Sequence, residues 1–244
     1  MSDSVGKRSP RKPIVLIGVG VLALAVAAFL IIYFVIFPTS SPKPFKLTPA
    51  KTTASTATST ATIGDLSGEW TIAQGSLAGY RVREKLAFLP ADSDAVGRTS
   101  QISGKAAFKQ SAGTITVSDA SFTVAVNTLT SDRSMRDEKI HQIGLESDRF
   151  PTATFKLSKP FSLARSAIAG KVAKVSVTGV FDIHGVSKSE TVPLEMSLSG
   201  STVEAAGALT FPWGEFGMSA PSIGGFVNVT DKATLEFDLR LQHT

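Results

Sequence analysis

An all-β fold, an antiparallel barrel of about eight strands behind one N-terminal transmembrane helix, is what this 244-residue sequence predicts. Three observations predict it. From Gly68 onward, short runs carry apolar side chains at every second position, the signature of strands with one buried face. Gly, Ser and Asp clusters separate those runs at spacings that suit antiparallel hairpins. Ahead of them, Ile14–Phe37 holds no charged residue and no proline.

Residues 1–13 are a short basic tail with Lys7, Arg8, Arg11 and Lys12. The apolar run 14–37 would be about 36 Å long as a helix, enough for a hydrocarbon core of about 30 Å. A buried core helix is rarely so long and so uniformly apolar. A cleaved signal peptide is the stronger competitor, but its apolar region is shorter and ends at a small-residue site. Here the bulky stretch Phe29–Phe37 follows Ala27 and Ala28. The expectation is an uncleaved signal anchor, with the basic tail cytoplasmic and the remainder outside. Residues 38–66 are rich in Thr, Ser, Ala and Pro, a composition that buries no core, and read as a linker. Residues 67–244 are then the folded domain.

Within that domain the strand readings follow in order. Trp70–Ile72 opens. Tyr80–Phe88 alternates, with Glu84 breaking an apolar face. Ile102, Ala106 and Phe108 share a parity, as do Phe122, Val124 and Val126 after Ile115 and Val117. Ala153–Leu157, Val172–Ile183, Val192–Leu198, Ala205–Phe211 and Leu235–Leu241 complete the set. Asn127–Lys156 contains the interruption. Ser131 and Asp132 are suited to cap a helix, Met135, Ile140 and Ile143 fit one helical face, and Gly144 is a natural stop. Such an excursion is expected across an open barrel end.

A closed sheet removes exposed edges. At eight strands the interior is either filled by side chains or holds one slender ligand. The pattern alone leaves both possibilities open.

The net charge of +5 is misleading if read globally. Seven of the 25 basic residues and two of the 20 acidic ones precede Gly68, leaving 18 of each in the domain. The excess therefore belongs to the tail and linker, where it favours anionic lipid heads. No nucleic-acid partner is expected. The absence of cysteine excludes disulfides and thiolate metal sites.

Three segments in sequence carry a family resemblance. The first joins Val126, Thr130, Met135, Arg136 and Asp137 to Asp148, Phe150, Pro151, Ala153 and Phe155. The second is Val177–Val186 with the strand Thr191–Leu198, and the third is Gly214–Met218 with a closing strand. Together they resemble the YceI-like family, from about Gly68 to the C-terminus. That resemblance implies a lipocalin-like barrel holding a polyisoprenoid or similar long-chain amphiphile. Many relatives are secreted and soluble, so the apolar anchor is a departure.

Catalytic patterns are scarce. The three histidines, His141, His184 and His243, show no metal-binding spacing, and no nucleophile elbow occurs. No enzyme activity, cofactor or metal is expected. An enzyme acting on a lipid would need a cavity-facing acid, for which Glu84 is the candidate. The phenylalanines are numerous. Phe88, Phe108, Phe122, Phe155, Phe181, Phe211 and Phe216, with Val124, Val126 and Ile183, are the candidate ligand-binding set. Each could equally be packed core. Burial gives about 0.8 kcal/mol per methylene, so a long chain needs no polar anchor. If the ligand has a phosphate head, Arg133, Arg136 and His141 are its candidate contacts, with a solvated helix face as the competing reading. The function these features imply is a membrane-anchored, extracytoplasmic lipid binder. The alternative is an envelope protein with a filled barrel that acts through its surface.

Overall fold

The computed structural model describes residues 24–28, 41–48, 64–86, 92–223 and 227–244. The chain divides into two units, Met1–Ser41 and Pro42–Thr244. In the first, residues 24–28 are helical. No helix among the described residues is long and apolar enough to cross a membrane. The remainder of the expected span 14–37 lies outside the described residues.

The second unit is a twelve-stranded antiparallel sheet. Its strands are β1 (Gly68–Ile72), β2 (Leu77–Leu86), β3 (Ser93–Thr99), β4 (Ile102–Ser111), β5 (Thr114–Ala125) and β6 (Thr152–Leu157). They continue with β7 (Phe161–Ala164), β8 (Ala173–Ile183), β9 (Val186–Ser199), β10 (Thr202–Pro212), β11 (Ser222–Ile223) and β12 (Val227–His243). Eight of them close a ring in the order β1-β4-β5-β6-β8-β9-β10-β12, because β12 returns to pair with β1. Closure leaves those strands without the open edges that make isolated sheets aggregate. β12 is long enough to serve two partners. Its C-terminal end pairs with β1 through Ile72↔Leu241, and its middle pairs with β2 through Tyr80↔Leu235.

Period-2 alternation accounts for most of this. Leu235, Phe237, Leu239 and Leu241 of β12 face the lumen, while Glu236, Asp238 and Arg240 face out. In β5 the inward parity changes from Ile115 and Val117 to Ala120, Phe122 and Val124. A register shift against β4 at Ala107/Phe108 produces the change, since one extra residue moves every later side chain to the other face. The β8–β9 hairpin turns on His184 (φ 56°) and Gly185 (φ 72°), the two positive-φ residues of a tight two-residue turn. Four elements lack a clear pattern in the sequence and are additions to it. They are β3, β7, β11 and the short helix Arg165–Ile168. β3 in particular sets only the small residues Ala95, Gly97 and Thr99 opposite Val82, Tyr80 and Ala78.

The expected excursion is present, in three pieces. A 3₁₀ turn covers Val126–Thr128, an α-helix Ser134–Lys139 and a π-helical turn Ile140–Gly144. Two details differ from expectation. The N-cap is Arg133, which makes no side-chain cap bond. Instead Ser131 Oγ accepts from the Arg133 N–H at 3.2 Å, and Asp137 accepts from the Ser131 N–H at 2.8 Å. Only Ile140 is buried on the proposed apolar face. Met135 is 76% exposed and Ile143 41% exposed. A helix of barely two turns can aim one side of one turn at the barrel, so the three side chains diverge.

Part of the segment read as linker is also described, and it lies on the barrel. Arg81 and Arg98 each donate an Nη2 hydrogen bond to a backbone carbonyl, of Pro42 and of Lys43, both at 2.7 Å. The Arg98 guanidinium sits 3.9 Å above the Phe45 ring. The Leu47 N–H donates to Glu195 at 3.0 Å. Beneath this strap, Glu236 is only 2% exposed and is compensated by both Arg81 (3.1 Å) and Arg98 (2.8 Å). A buried carboxylate without such partners would carry a large desolvation penalty.

Candidate functional site: an apolar lumen

Inward-facing side chains do not fill the barrel. A lower lobe, towards Leu241, is a cavity of ≈ 110 Å³. An upper lobe, beneath the excursion, offers ≈ 60 Å³. The lower walls include Phe108, Phe122, Phe155, Phe161, Phe181, Met196, Phe237 and Leu241, and Thr154 is the one wall residue with a polar side chain. The upper walls include Val126, Leu129, Ile140, Leu145, Ile183, Phe211, Trp213 and Met218. Ile140 and Leu145 bring the excursion over this end.

Glycines on neighbouring strands keep the space open. The Tyr80 ring lies against Gly97, Phe122 against Gly104, Phe155 against Gly179 and Phe237 against Gly207. Three of these are direct register partners, and Gly179 neighbours Phe155 diagonally. A Cβ at Gly179 would stand 2.2 Å from Phe155 Cε2, and one at Gly207 would stand 2.6 Å from Phe237 Cζ. Without a side chain opposite, each ring can lie along the wall rather than project into the lumen.

The candidate residues distribute as follows. Phe108, Phe122, Phe155 and Phe181 line the lower lobe, and Val126, Ile183 and Phe211 the upper, while Val124 borders both. Phe216 is fully buried, edge-on to Phe211 at 4.7 Å, and stands behind the wall. Phe88 lies outside the described residues. Sequence reading missed Trp213, Met218, Leu129 and the small wall residues Ala78 and Ala153. Ala78 shares the parity of Tyr80 and Val82 and was legible. Ala153 shares the parity of Phe155 and Leu157 and was legible too, whereas Trp213, Met218 and Leu129 become wall residues only when the excursion and the Trp213–Phe216 turn fold over the barrel end.

The three candidate head-group residues are engaged within the protein. Arg136 donates to Glu84 at 2.5 Å and pairs with Asp132. Burial alone lowers the pKa of this guanidinium, but the hydrogen bond and charge of Glu84, joined by Asp132, outweigh it and hold the pKa above its ordinary value. Glu84, the acid that breaks the β2 apolar face, is 5% exposed and forms the other half of this pair. His141 bonds Ser147 Oγ through Nδ1 at 2.9 Å and the Leu129 carbonyl through Nε2 at 2.8 Å. Arg133 is half-buried beside Asp132, 3.8 Å away. Below this cluster, burial pushes the Tyr80 phenol well above its ordinary pKa, so the ring contributes no charge to the lumen. Among the described residues no group of His, Cys, Asp and Glu is arranged to hold a metal ion.

A closed antiparallel barrel with an apolar, partly empty interior is a lipocalin-like architecture. Residues 45–241 match the YceI-like domain family, and the chain belongs to it. Solved structures show the same fold. A polyisoprenoid binding domain from Saccharophagus degradans, implicated in plant cell wall breakdown, superposes with a TM-score of 0.53 at 15% identity, over 72% of this chain and 98% of that one. The Campylobacter jejuni YceI protein gives 0.51 at 16% identity, over 66% and 91%. Among curated proteins none matches the sequence.

Proposed function

We propose that this protein binds the chain of a polyisoprenoid or similar long-chain amphiphile in its lumen, and that residues 14–37 tether it to the cell membrane with the barrel extracytoplasmic. The apolar cavity carries this reading. The walls of its lower lobe are hydrocarbon apart from Thr154, so the gain on binding is desolvation of a chain. The polyisoprenoid-binding character of the S. degradans domain supports the same ligand class. Binding rather than catalysis is favoured because the two most buried acids, Glu84 and Glu236, are neutralised by arginines and present no free carboxylate to the lumen.

The test is native mass spectrometry of the full chain, extracted in a steroid-based detergent, whose fused rings carry no long alkyl chain to mimic the ligand. A discrete adduct, lost on organic extraction and diminished by Phe122→Asp or Phe181→Asp, is the expected result. A bare protein that also ignores added prenyl alcohols would refute the proposal. Sidedness is read separately. The chain has no cysteine, so Met135→Cys at the exposed helix should react with a membrane-impermeant maleimide on intact cells.

A further inference from the structure

The two lobes share four wall residues: Ala78, Val124, Ala153 and Leu235. Val124 and Ala153 are register partners on β5 and β6. Ala78 and Leu235 lie on the paired strands β2 and β12, far from β5 and β6 in the ring order. The four therefore form a belt where the two lobes meet, with Ala78 opposite Phe237 and Leu235 one pair further up, opposite Tyr80. Phe122, Phe155 and Phe237 line only the lower lobe, and Val126, Ile183 and Ala233 only the upper.

We propose that this belt is a chain-length gate, and that the protein selects lipids whose chain is long and thin enough to thread it. The inference rests on the lipid-binding reading above and specifies its ligand class. A water needs about 10–15 Å³ of such space, and a methylene is similar in size. The lower lobe thus holds about ten chain carbons and the upper lobe about five more. The distance agrees. From Leu235 to Leu241 the strand advances roughly 20 Å, and its tilt leaves about 15 Å along the barrel axis. A short chain can stay in the lower lobe. A longer one must pass between Ala78 and Ala153, where two methyl side chains leave the passage open. Larger residues on either wall would narrow it.

The experiment uses the full chain in the same detergent and three prenyl alcohols of increasing length: geraniol, farnesol and geranylgeraniol. Wild type is expected to bind all three, with affinity rising with length. Ala153→Leu, in a wall that both lobes share, should weaken geranylgeraniol at least tenfold more than it weakens geraniol. Trp213 borders only the upper lobe, so in a Trp70→Phe background its emission should shift with geranylgeraniol and not with geraniol. If Ala153→Leu does not fold, Leu235→Phe narrows the belt from the opposite wall with the same expectation. A folded variant that weakens all three alcohols equally, or none, overturns the gate while leaving lipid binding intact. Failure of wild type to bind any of them overturns the binding reading itself.

Discussion

Replacing Arg136 by Met should destabilise the barrel far more than replacing its partner Glu84 by Gln, and the reason lies in who is left behind. In Arg136→Met the Glu84 carboxylate stays buried, with a side chain 7% exposed and, among the described residues, only Ser93 Oγ left to donate to it, at 3.4 Å. Breaking a buried pair in this way costs about 3–5 kcal/mol, and the lower end applies to a site at the rim of the barrel. In Glu84→Gln the guanidinium keeps Asp132, whose side chain is 51% exposed, so the loss falls to about 1–2 kcal/mol. The double variant Glu84→Leu/Arg136→Met leaves no orphaned charge and should return to within about 1 kcal/mol of wild type. For a folded unit of this size each kcal/mol moves Tm by about 2–4 °C. Arg136→Met alone should therefore lower Tm by about 6–12 °C, and the double variant by much less. Thermal and urea unfolding of all four proteins measures this. Equal losses in the two single variants, or a double variant as unstable as Arg136→Met, would refute the account of a compensated buried pair. Because Arg136 also holds the excursion over the upper lobe, the single variant should release bound lipid faster.

Two further predictions follow from local geometry. Gly97→Ala places a Cβ 2.3 Å from Tyr80 Cε1 and forces the ring off the wall; the expected loss is about 1–3 kcal/mol, largely absent in a Tyr80→Leu background, and an additive double variant would contradict the packing account. Burial raises the Asp238 carboxyl pKa above its unfolded value, so its ionisation subtracts stability as pH rises through that range. Asp238→Asn should raise Tm at pH 7 but leave it unchanged near pH 3, and an equal gain at both would show that charge is not the cause.

The excursion illustrates how far local pattern reaches. Asn127–Lys156 is legible as a break because its polar spacing and Gly144 interrupt period-2 alternation, and those are properties of neighbouring residues. Which of Met135, Ile140 and Ile143 is buried was not legible, since it depends on which side of the helix meets the barrel. The strap is similar. Pro42–Leu47 has a linker's composition, and its attachment becomes visible only when Arg81 and Arg98 are placed on adjacent strands.

The all-β class, the inward parity of most strands, the aromatic candidates and the family are all legible in local pattern. Each depends on alternation or short motifs within one strand or hairpin. Tertiary structure decided the ring closure of β12 on β1, the Glu84–Arg136 pair 52 positions apart, the aromatic rings laid over Gly97, Gly104, Gly179 and Gly207, and the belt between the two lobes. These depend on register and on which strands face one another across the barrel. Such distances are set by closing the whole sheet, and no single window of sequence contains both partners.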